Sequence, residues 1–183
     1  MALIAERGAR VTLEEIASRA GVSRQSVYVH FASRAGLLLA VVQHVDASGR
    51  LDALLDRAFN AASALDALDA VVHLHGEYSP EAYPVARAIM VARHEDEALG
   101  AAWDDRIQGR RNLYRFVVDW LAQEGLLDGA WDSEAAIDML SALTSWQVWE
   151  QLIVDLGWSK EQYMRYLGTT VRRALLAGHV PSG

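Results

Sequence analysis

The sequence predicts an all-α protein. Apolar residues recur at helical spacing along most of the chain, and no stretch alternates apolar and polar residues between tight turns as a hairpin would. Two segments, 12–15 and 159–162, have the capping-box pattern, in which a hydroxyl and an acid or amide side chain bond backbone amides reciprocally at a helix start. Only 3 prolines interrupt the 183 residues. We therefore expect helices and no sheet.

These start signals and the glycine-containing breaks together predict nine helices. Ser79-Pro80 marks a further start, because proline is tolerated at the first helical position, where its missing N–H is no loss. The predicted helices cover, in order, residues 2–7, 13–20, 24–30, 34–59, 65–76, 80–98, 101–124, 134–156 and 160–177. Disorder is expected only in residues 181–183.

The composition predicts a folded, soluble, cytoplasmic protein. Hydrophobic residues make up 52% of the chain and charged residues 22%, which is a globular rather than a disordered profile. The absence of cysteine excludes a disulfide framework and a thiolate metal site. No apolar run reaches the roughly 18 residues that a membrane span needs, and the N-terminus lacks a signal-peptide pattern. No membrane partner and no cofactor are therefore predicted.

The most informative segment is residues 12–39, which read TLEEIASRAGVSRQSVYVHFASRAGLLL. A capped helix of about two turns meets the turn Gly21-Val22-Ser23 and then a second short helix. Gly21 can take the positive φ that ends a helix, and Ala17 is small enough to let the second helix approach. The side chains expected to form a shared core are Ile16, Ala20, Val22, Val27 and Phe31. Two short helices crossing steeply would form a helix-turn-helix.

The second helix of this unit is the candidate DNA-reading element. If Val27 and Phe31 face inward, the polar residues around them must project outward or sideways. The candidate DNA contacts are Ser23, Arg24, Gln25, Ser26, Tyr28, His30 and Arg34. Ser23 would cap the helix and leave free amides for a phosphate, while Arg24 and Gln25 could reach guanine or adenine edges. Tyr28, His30 and Arg34 suit phosphate oxygens.

Charge distribution permits this interpretation without establishing it. The net charge is -7, which opposes phosphate binding at first sight. Residues 1–46, however, contain five arginines and four acids, so this segment is slightly basic. The remaining residues carry 12 basic and 20 acidic side chains. All of the net acidity therefore lies outside the candidate DNA-binding segment.

The segment resembles the helix-turn-helix signature of the TetR family of repressors. The matching positions are Thr12, Ile16, Ala17, Ala20, Gly21, Val22, Ser23, Tyr28, His30, Phe31 and Leu37, and Arg34 stands where the family usually has lysine. The resemblance implies a DNA-binding domain over residues 1–46 and a ligand-binding and dimerisation domain over residues 47–183. It also implies a small-molecule effector that weakens DNA binding by shifting the long helix after Arg34.

Two departures from the family pattern bear on this domain. Only residues 1–7 precede Gly8, where the family has a full first helix before the turn, so we expect either an upstream start or a trimmed chain. Gln25 and Val29 also differ from the residue types that are common in the family. These two positions leave the operator sequence open.

The rest of the chain is rich in aromatic residues, and all 6 tryptophans fall between Trp103 and Trp158. The family resemblance implies a hydrophobic effector cavity in this part, although each aromatic residue could equally fill the core. The candidate effector contacts are Met90, His94, Trp103, Ile107, Phe116, Trp120, Met139, Leu143 and Trp146. Gln108 and Gln147 are further possible polar contacts.

The last two predicted helices, joined at Gly157-Trp158, resemble the antiparallel pair that forms a four-helix bundle with a symmetry mate. The candidate dimer residues are Trp149, Leu152, Ile153, Leu156, Tyr163, Leu167 and Val171. A monomer core is the alternative. A homodimer would place two recognition helices about 34 Å apart, matching successive major grooves of a palindromic operator.

Enzymatic chemistry is not predicted. His73 and His75 are two residues apart, which places them on different faces of a helix. The acidic run from His94 to Glu97 has the character of a solvated helix end, and no phosphate loop, nucleophile elbow or zinc-ligand pair occurs. The alternative to a regulator is a helical interaction module that keeps the fold without binding DNA.

Overall fold

The computed structural model describes residues 2–7 and 11–178 and confirms the all-α class. The helices are α1 (Ala2–Arg7), α2 (Leu13–Ala20), α3 (Arg24–Phe31), α4 (Arg34–Asp46), α5 (Arg50–Phe59), α6 (Ala64–Ala92), α7 (Glu97–Gln123), α8 (Ser133–Leu143), α9 (Trp146–Trp149) and α10 (Lys160–Leu175). A π-helical segment, Glu150–Asp155, continues directly from α9. No strand forms within the described ranges, where one isolated antiparallel bridge pairs Leu127 with Leu176. The predicted turn at Gly8 and the predicted disorder of residues 181–183 lie outside the described residues.

The prediction of one continuous helix over residues 34–59 is wrong. Helix α4 ends at Asp46, and α5 begins at Arg50 after a short turn. Gly49 in this turn has φ +71°, a left-handed conformation that glycine adopts without a Cβ penalty. Helical periodicity continues across the turn because both helices bury one face, so apolar spacing alone did not reveal the break.

The predicted helix start at Ser79-Pro80 is also wrong, because α6 runs through it. Pro80 and Pro84 both lie inside α6. A proline inside a helix removes a backbone hydrogen bond and crowds the preceding turn. Buried side chains occur on both sides of the prolines, with Leu74 at 6% and Val85 at 3% exposure. Burial of a continuous apolar face outweighs the local preference of proline for a first turn.

The predicted helix over residues 134–156 is interrupted between α8 and α9. Ser145 caps α9 by accepting a hydrogen bond from the Val148 amide at 3.3 Å. Thr144 is buried and donates from its hydroxyl to the Leu140 carbonyl at 2.7 Å. Both residues offer the backbone hydrogen bonds that compete with helical continuation.

The chain divides into two compact units. The first comprises Met1–Arg50 and Pro80–Ile107, and the second comprises Leu51–Ser79 and Gln108–Gly183. The division into functional domains near residue 46 stays a prediction. No single helix among the described residues is long and apolar enough to cross a membrane, although α3 and α4, bent by 72°, reach that length and composition as a pair.

The second unit contains a buried polar network. His75 Nε2 lies 2.6 Å from the Tyr114 hydroxyl, which in turn lies 2.7 Å from Thr144 Oγ1. Arg110 donates to the Thr144 carbonyl at 2.9 Å, at the end of α8, where carbonyls lack helical donors. Burial, and after it the charge of Arg110, lowers the pKa of His75 well below 6.5. His75 is therefore a neutral core residue. Burial also raises the pKa of the nearby Tyr163 hydroxyl.

Candidate nucleic-acid interface

Side-chain caps and a glycine turn fix the two short helices of the helix-turn-helix. Thr12 Oγ1 accepts the Glu15 amide at 3.2 Å, and the Thr12 amide donates to the Glu15 carboxylate at 2.9 Å. The Thr12 backbone hydrogen bond lowers the pKa of Glu15. Gly21 has φ +67°, and Ser23 Oγ accepts the Ser26 amide at 3.0 Å. The predicted capping box, turn and cap are confirmed.

The core beneath these helices differs in part from the predicted set. Leu13, Ala17, Val27 and Leu37 are buried together, with half-buried Ile16 and Phe31 packed against them. Ala20 is exposed, and Val22 is 47% exposed, so their assignment to the core is wrong. The Val22 amide donates to the Ala17 carbonyl at 3.1 Å, which holds Val22 in the turn with its side chain in solvent. Leu13 and Leu37 fill the space instead.

The polar residues of α3 point away from this core. Val27 is buried at 4% exposure, whereas Arg24, Gln25, Tyr28 and His30 are exposed and Ser26 is half-buried. Ser23, before the helix, is exposed as well. The predicted outward orientation is confirmed, while contact with DNA stays a prediction.

An open groove of about 440 Å³ lies beside α3. Its lining consists of Val11, Thr12, Leu13, Glu14, Tyr28, Ala32, Ser33 and Arg34. Two helices begin at this groove, because Thr12 is the N-cap of α2 and Ser33 is the N-cap of α4. Free amides and the positive end of the helix dipole favour an anion at such a position. Sequence reasoning missed Ser33 and treated Thr12 only as a cap.

Arg34 is the principal cation of the groove. It is half-buried, and its Nε atom is buried and has no hydrogen-bond partner within residues 2–7 and 11–178. A buried donor without an acceptor costs free energy, so an anion in the groove would be stabilised by Arg34 and would satisfy this donor. Ser33 Oγ accepts the Gly36 amide at 3.0 Å, which leaves its own hydroxyl proton available for donation.

Arg24 is held on the Tyr28 side of α3. Its Nη2 lies 2.7 Å from a Glu14 carboxylate oxygen and donates to the Tyr28 hydroxyl at 3.5 Å. The guanidinium also lies 5.3 Å from the centre of the Tyr28 ring. The Tyr28 hydroxyl, followed by the Glu14 charge, raises the pKa of Arg24. Arg24 therefore points towards the groove side of the helix in the free protein.

The predicted effector residues of the first unit differ in burial. Trp103 is 8% exposed, and Arg93 lies over its ring at 4.6 Å. Met90 and Ile107 are half-buried. His94 is exposed and accepts a hydrogen bond from Arg93 Nε at 3.2 Å.

The predicted effector residues of the second unit are all half-buried, namely Phe116, Trp120, Met139, Leu143 and Trp146. Phe116 lies between two aromatic neighbours, with ring centres 5.2 Å from Phe59 and 5.7 Å from Trp120. Gln108 and Gln147 are exposed. Effector binding by any of these residues stays a prediction.

Four of the predicted dimer residues lie in the interior of the chain itself. Trp149, Tyr163, Leu167 and Val171 are at most 6% exposed, and the rings of the first two meet edge to face at 4.8 Å. Leu152 and Ile153 are half-buried, and Leu156 is 62% exposed. Val154 and Tyr166, which sequence reasoning did not single out, are 55% and 45% exposed. The most exposed large apolar side chains within residues 146–175 are therefore those of Leu156 and these two residues.

No group of three or more His, Asp or Glu side chains in the described ranges is arranged to hold a metal ion. The Nε2 atom of His75 instead forms a hydrogen bond with the Tyr114 hydroxyl.

Comparisons with known proteins agree with this geometry. Residues 1–41 match the model of the bacterial regulatory proteins of the tetR family. A protein described as a transcriptional regulator from Saccharomonospora viridis, solved in complex with choline, superposes with TM-score 0.79 at 20% identity, covering 95% of this chain and 92% of that one. A tetR-family regulatory protein from Rhodococcus RHA1 gives TM-score 0.76 at 20% identity, with coverage of 93% and 90%. The ketosteroid transcriptional regulator KstR2 of Mycobacterium tuberculosis gives TM-score 0.70 at 21% identity, with coverage of 96% and 90%.

No curated protein matches the chain in sequence. At these identities the solved structures establish the fold, and the family model establishes the helix-turn-helix segment. Residues 1–41 are therefore similar to the DNA-binding segment of the tetR family of bacterial regulatory proteins, and the chain has the same fold as these solved structures.

Proposed function

We propose that this protein is a dimeric, cytoplasmic repressor that binds a palindromic operator and releases it when a small, largely apolar or aromatic effector binds. The observation that carries the DNA-binding part is the groove beside α3, where two helix N-termini meet Arg34. The Nε atom of Arg34 is buried and has no hydrogen-bond partner among the described residues, so it offers a charged donor to an anion in this groove. A backbone phosphate of DNA supplies that anion.

The groove has the donors that a phosphate requires. The Ser33 hydroxyl and the Arg34 guanidinium are adjacent at the start of α4. The Tyr28 hydroxyl lines the same groove, and among the described residues it receives only a long hydrogen bond from Arg24. Phosphate contacts of this kind set the register of a protein on the duplex without reading sequence. The recognition helix α3 is thereby positioned in the major groove.

Glu14 must give way for Arg24 to contact DNA. The pair is solvent-exposed, with 64% of the Arg24 side chain and 45% of the Glu14 side chain accessible. Exposed ion pairs are weak and are screened by salt, so a phosphate can replace the carboxylate.

The DNA-binding proposal is tested by the salt dependence of affinity for a labelled 30-base-pair duplex. Each neutralised phosphate contributes about 0.9 to the slope of log K against log salt, so Arg34→Gln should reduce the slope of a dimer by about two. Arg57→Gln is the matched control, because Arg57 is an exposed arginine of α5 outside the helix-turn-helix. An unchanged slope for Arg34→Gln would remove the groove from the interface. Salt-independent or absent binding by the wild type would favour the interaction module instead.

The dimer part of the proposal depends on an exposed apolar surface in the second unit. Val154 and Leu156 are 55% and 62% exposed, and Tyr166 packs its ring 5.5 Å from that of Trp158. Burial of such side chains against a symmetry mate is favourable at about 25 cal/mol per Å². Leu156→Glu should shift the mass measured by light scattering towards the monomer. Val91→Glu, at an exposed valine of α6, is the control.

The effector part of the proposal is supported by the aromatic content of the second unit and by the family. The Saccharomonospora protein was solved with choline, so a protein of this fold can bind a small organic molecule. An effector weakens DNA binding only as far as it prefers the conformation that does not fit the operator, typically by about 1–3 kcal/mol. Screening small molecules for release of the labelled duplex tests this part. Trp120→Ala, which keeps the DNA surface intact, should weaken the response.

A further inference from the structure

The outermost face of α3 carries an exposed apolar side chain. Val29 is 76% exposed, the highest value among the large exposed hydrophobic side chains of the described residues. Val22, in the turn before α3, is 47% exposed. The Val29 side chain is therefore outside the core and free to contact an apolar group of a binding partner, and such a contact would remove apolar surface from water.

The helical geometry places Gln25 on the same face as Val29. Residues four apart share a helix face, and successive residues are about 100° apart. Val27 and Phe31 face the core, and the direction midway between Gln25 and Val29 lies roughly opposite to it. Gln25 is exposed and makes no hydrogen bond with the described residues. The side of α3 farthest from the core therefore carries one amide and one apolar side chain.

The charged and hydroxyl-bearing residues of α3 lie on the flanks of this face. Arg24 and Tyr28 form one flank, where the guanidinium lies over the Tyr28 ring and Tyr28 lines the open groove beside α3. Ser26 and His30, also four apart, form the other flank. A helix lying in the major groove meets phosphates on its flanks and base edges at its outermost face. Arg24 consequently belongs with the phosphate contacts rather than with the base contacts.

We infer that Gln25 and Val29 read A·T base pairs in the centre of each operator half-site. A glutamine amide can bond adenine N6 and N7 together, and an aliphatic side chain contacts the thymine C5-methyl group. Guanine and cytosine offer neither this donor–acceptor pair nor a methyl group in the major groove. Val29 prefers thymine because the two apolar groups leave water together. This inference rests on the proposed DNA-binding function and specifies the sequence class of the partner.

The test removes the proposed contact between Val29 and the thymine methyl group, once by changing the DNA and once by changing the protein. Wild-type protein first selects duplexes from a random 30-base-pair library, and the selected half-sites should contain A·T pairs at fixed central positions. Replacing the contacted thymine by deoxyuridine deletes only the methyl group. Since burial of one such group contributes about fourfold in affinity, the wild type should bind the deoxyuridine duplex about fourfold more weakly. Val29→Ala should bind both duplexes equally.

Two control variants separate the readout from general effects. Val91→Ala shortens another exposed valine, 59% accessible on α6, and should retain the full preference for thymine. Gln25→Ala should lose discrimination at the neighbouring adenine while keeping the thymine preference. Equal wild-type affinity for thymine and deoxyuridine duplexes, or selection of G·C pairs at the centre, would overturn the readout while leaving DNA binding intact. Failure to bind any duplex would refute the proposed function and the readout together.

Discussion

Acidification should destabilise the second unit through one buried imidazole. His75 is 6% exposed, and its Nε2 lies 2.6 Å from the Tyr114 hydroxyl. Burial, followed by the charge of Arg110, lowers the pKa of His75 well below 6.5, so the folded protein keeps the ring neutral. The unfolded chain binds a proton as the pH falls through about 6.5. The stability contributed by His75 is therefore complete above that pH and is lost below it.

The size of this effect follows from proton linkage. For each pH unit below about 6.5 at which the folded ring stays neutral, the free energy of unfolding falls by about 1.4 kcal/mol. Between pH 7 and pH 5, His75 alone should therefore remove about 2 kcal/mol. This is a large fraction of the roughly 5–15 kcal/mol that stabilises a typical domain.

The assay is urea unfolding followed by tryptophan fluorescence at pH 7, 6 and 5. His75→Gln places a non-titrating amide nitrogen near the position of Nε2, so it should lose about 2 kcal/mol less than the wild type over this range. Other titrating groups contribute equally to both proteins. If wild type and His75→Gln lose the same stability on acidification, the imidazole is not held neutral in the core.

Three glycines lead to further predictions, all measured by urea unfolding. Gly36→Ala should lower the free energy of unfolding by about 1–3 kcal/mol, because its Cβ would overlap the Phe31 carbonyl oxygen; unchanged stability would contradict this packing. Gly76→Ala should also be destabilising, since its Cβ would overlap the Met164 side chain, but in a Met164→Ala background it should stabilise by about 1 kcal/mol through helix propensity. If Gly76→Ala lowers the free energy of unfolding in both backgrounds, overlap with Met164 is not the cause of the destabilisation. Gly109→Ala, on the exposed surface of α7 with no atom within 4 Å of the new Cβ, should stabilise by about 0.5–1 kcal/mol, and a loss would show a hidden neighbour.

Features that depend on neighbouring residues were predictable from the sequence. The cap at Thr12 uses the amide three residues later, and the left-handed turn at Gly21 needs only a residue without a Cβ. The inward position of Val27 follows from helical spacing within α3. The recognition helix, its limits to within one residue and its exposed polar residues could therefore be predicted without a structure.

Features that depend on distant burial were not predictable. Pro80 reads locally as a helix start, yet α6 continues through it because its apolar side chains are buried before and after the proline. The residues predicted for a dimer interface have the same apolar character whether they face a partner or the core. Trp149 and Tyr163 pack against each other within the chain, so only the structure assigns them to the interior.

The sequence by itself determined the helix-turn-helix and the exposed polar residues of its second helix, because capping, turn formation and helical periodicity act within a few residues. Only the tertiary structure brought Arg34 beside Thr12 in one groove and left the Arg34 Nε without a partner among the described residues. These properties depend on how helices pack side chains that are distant in sequence, and local patterns carry no information about such packing.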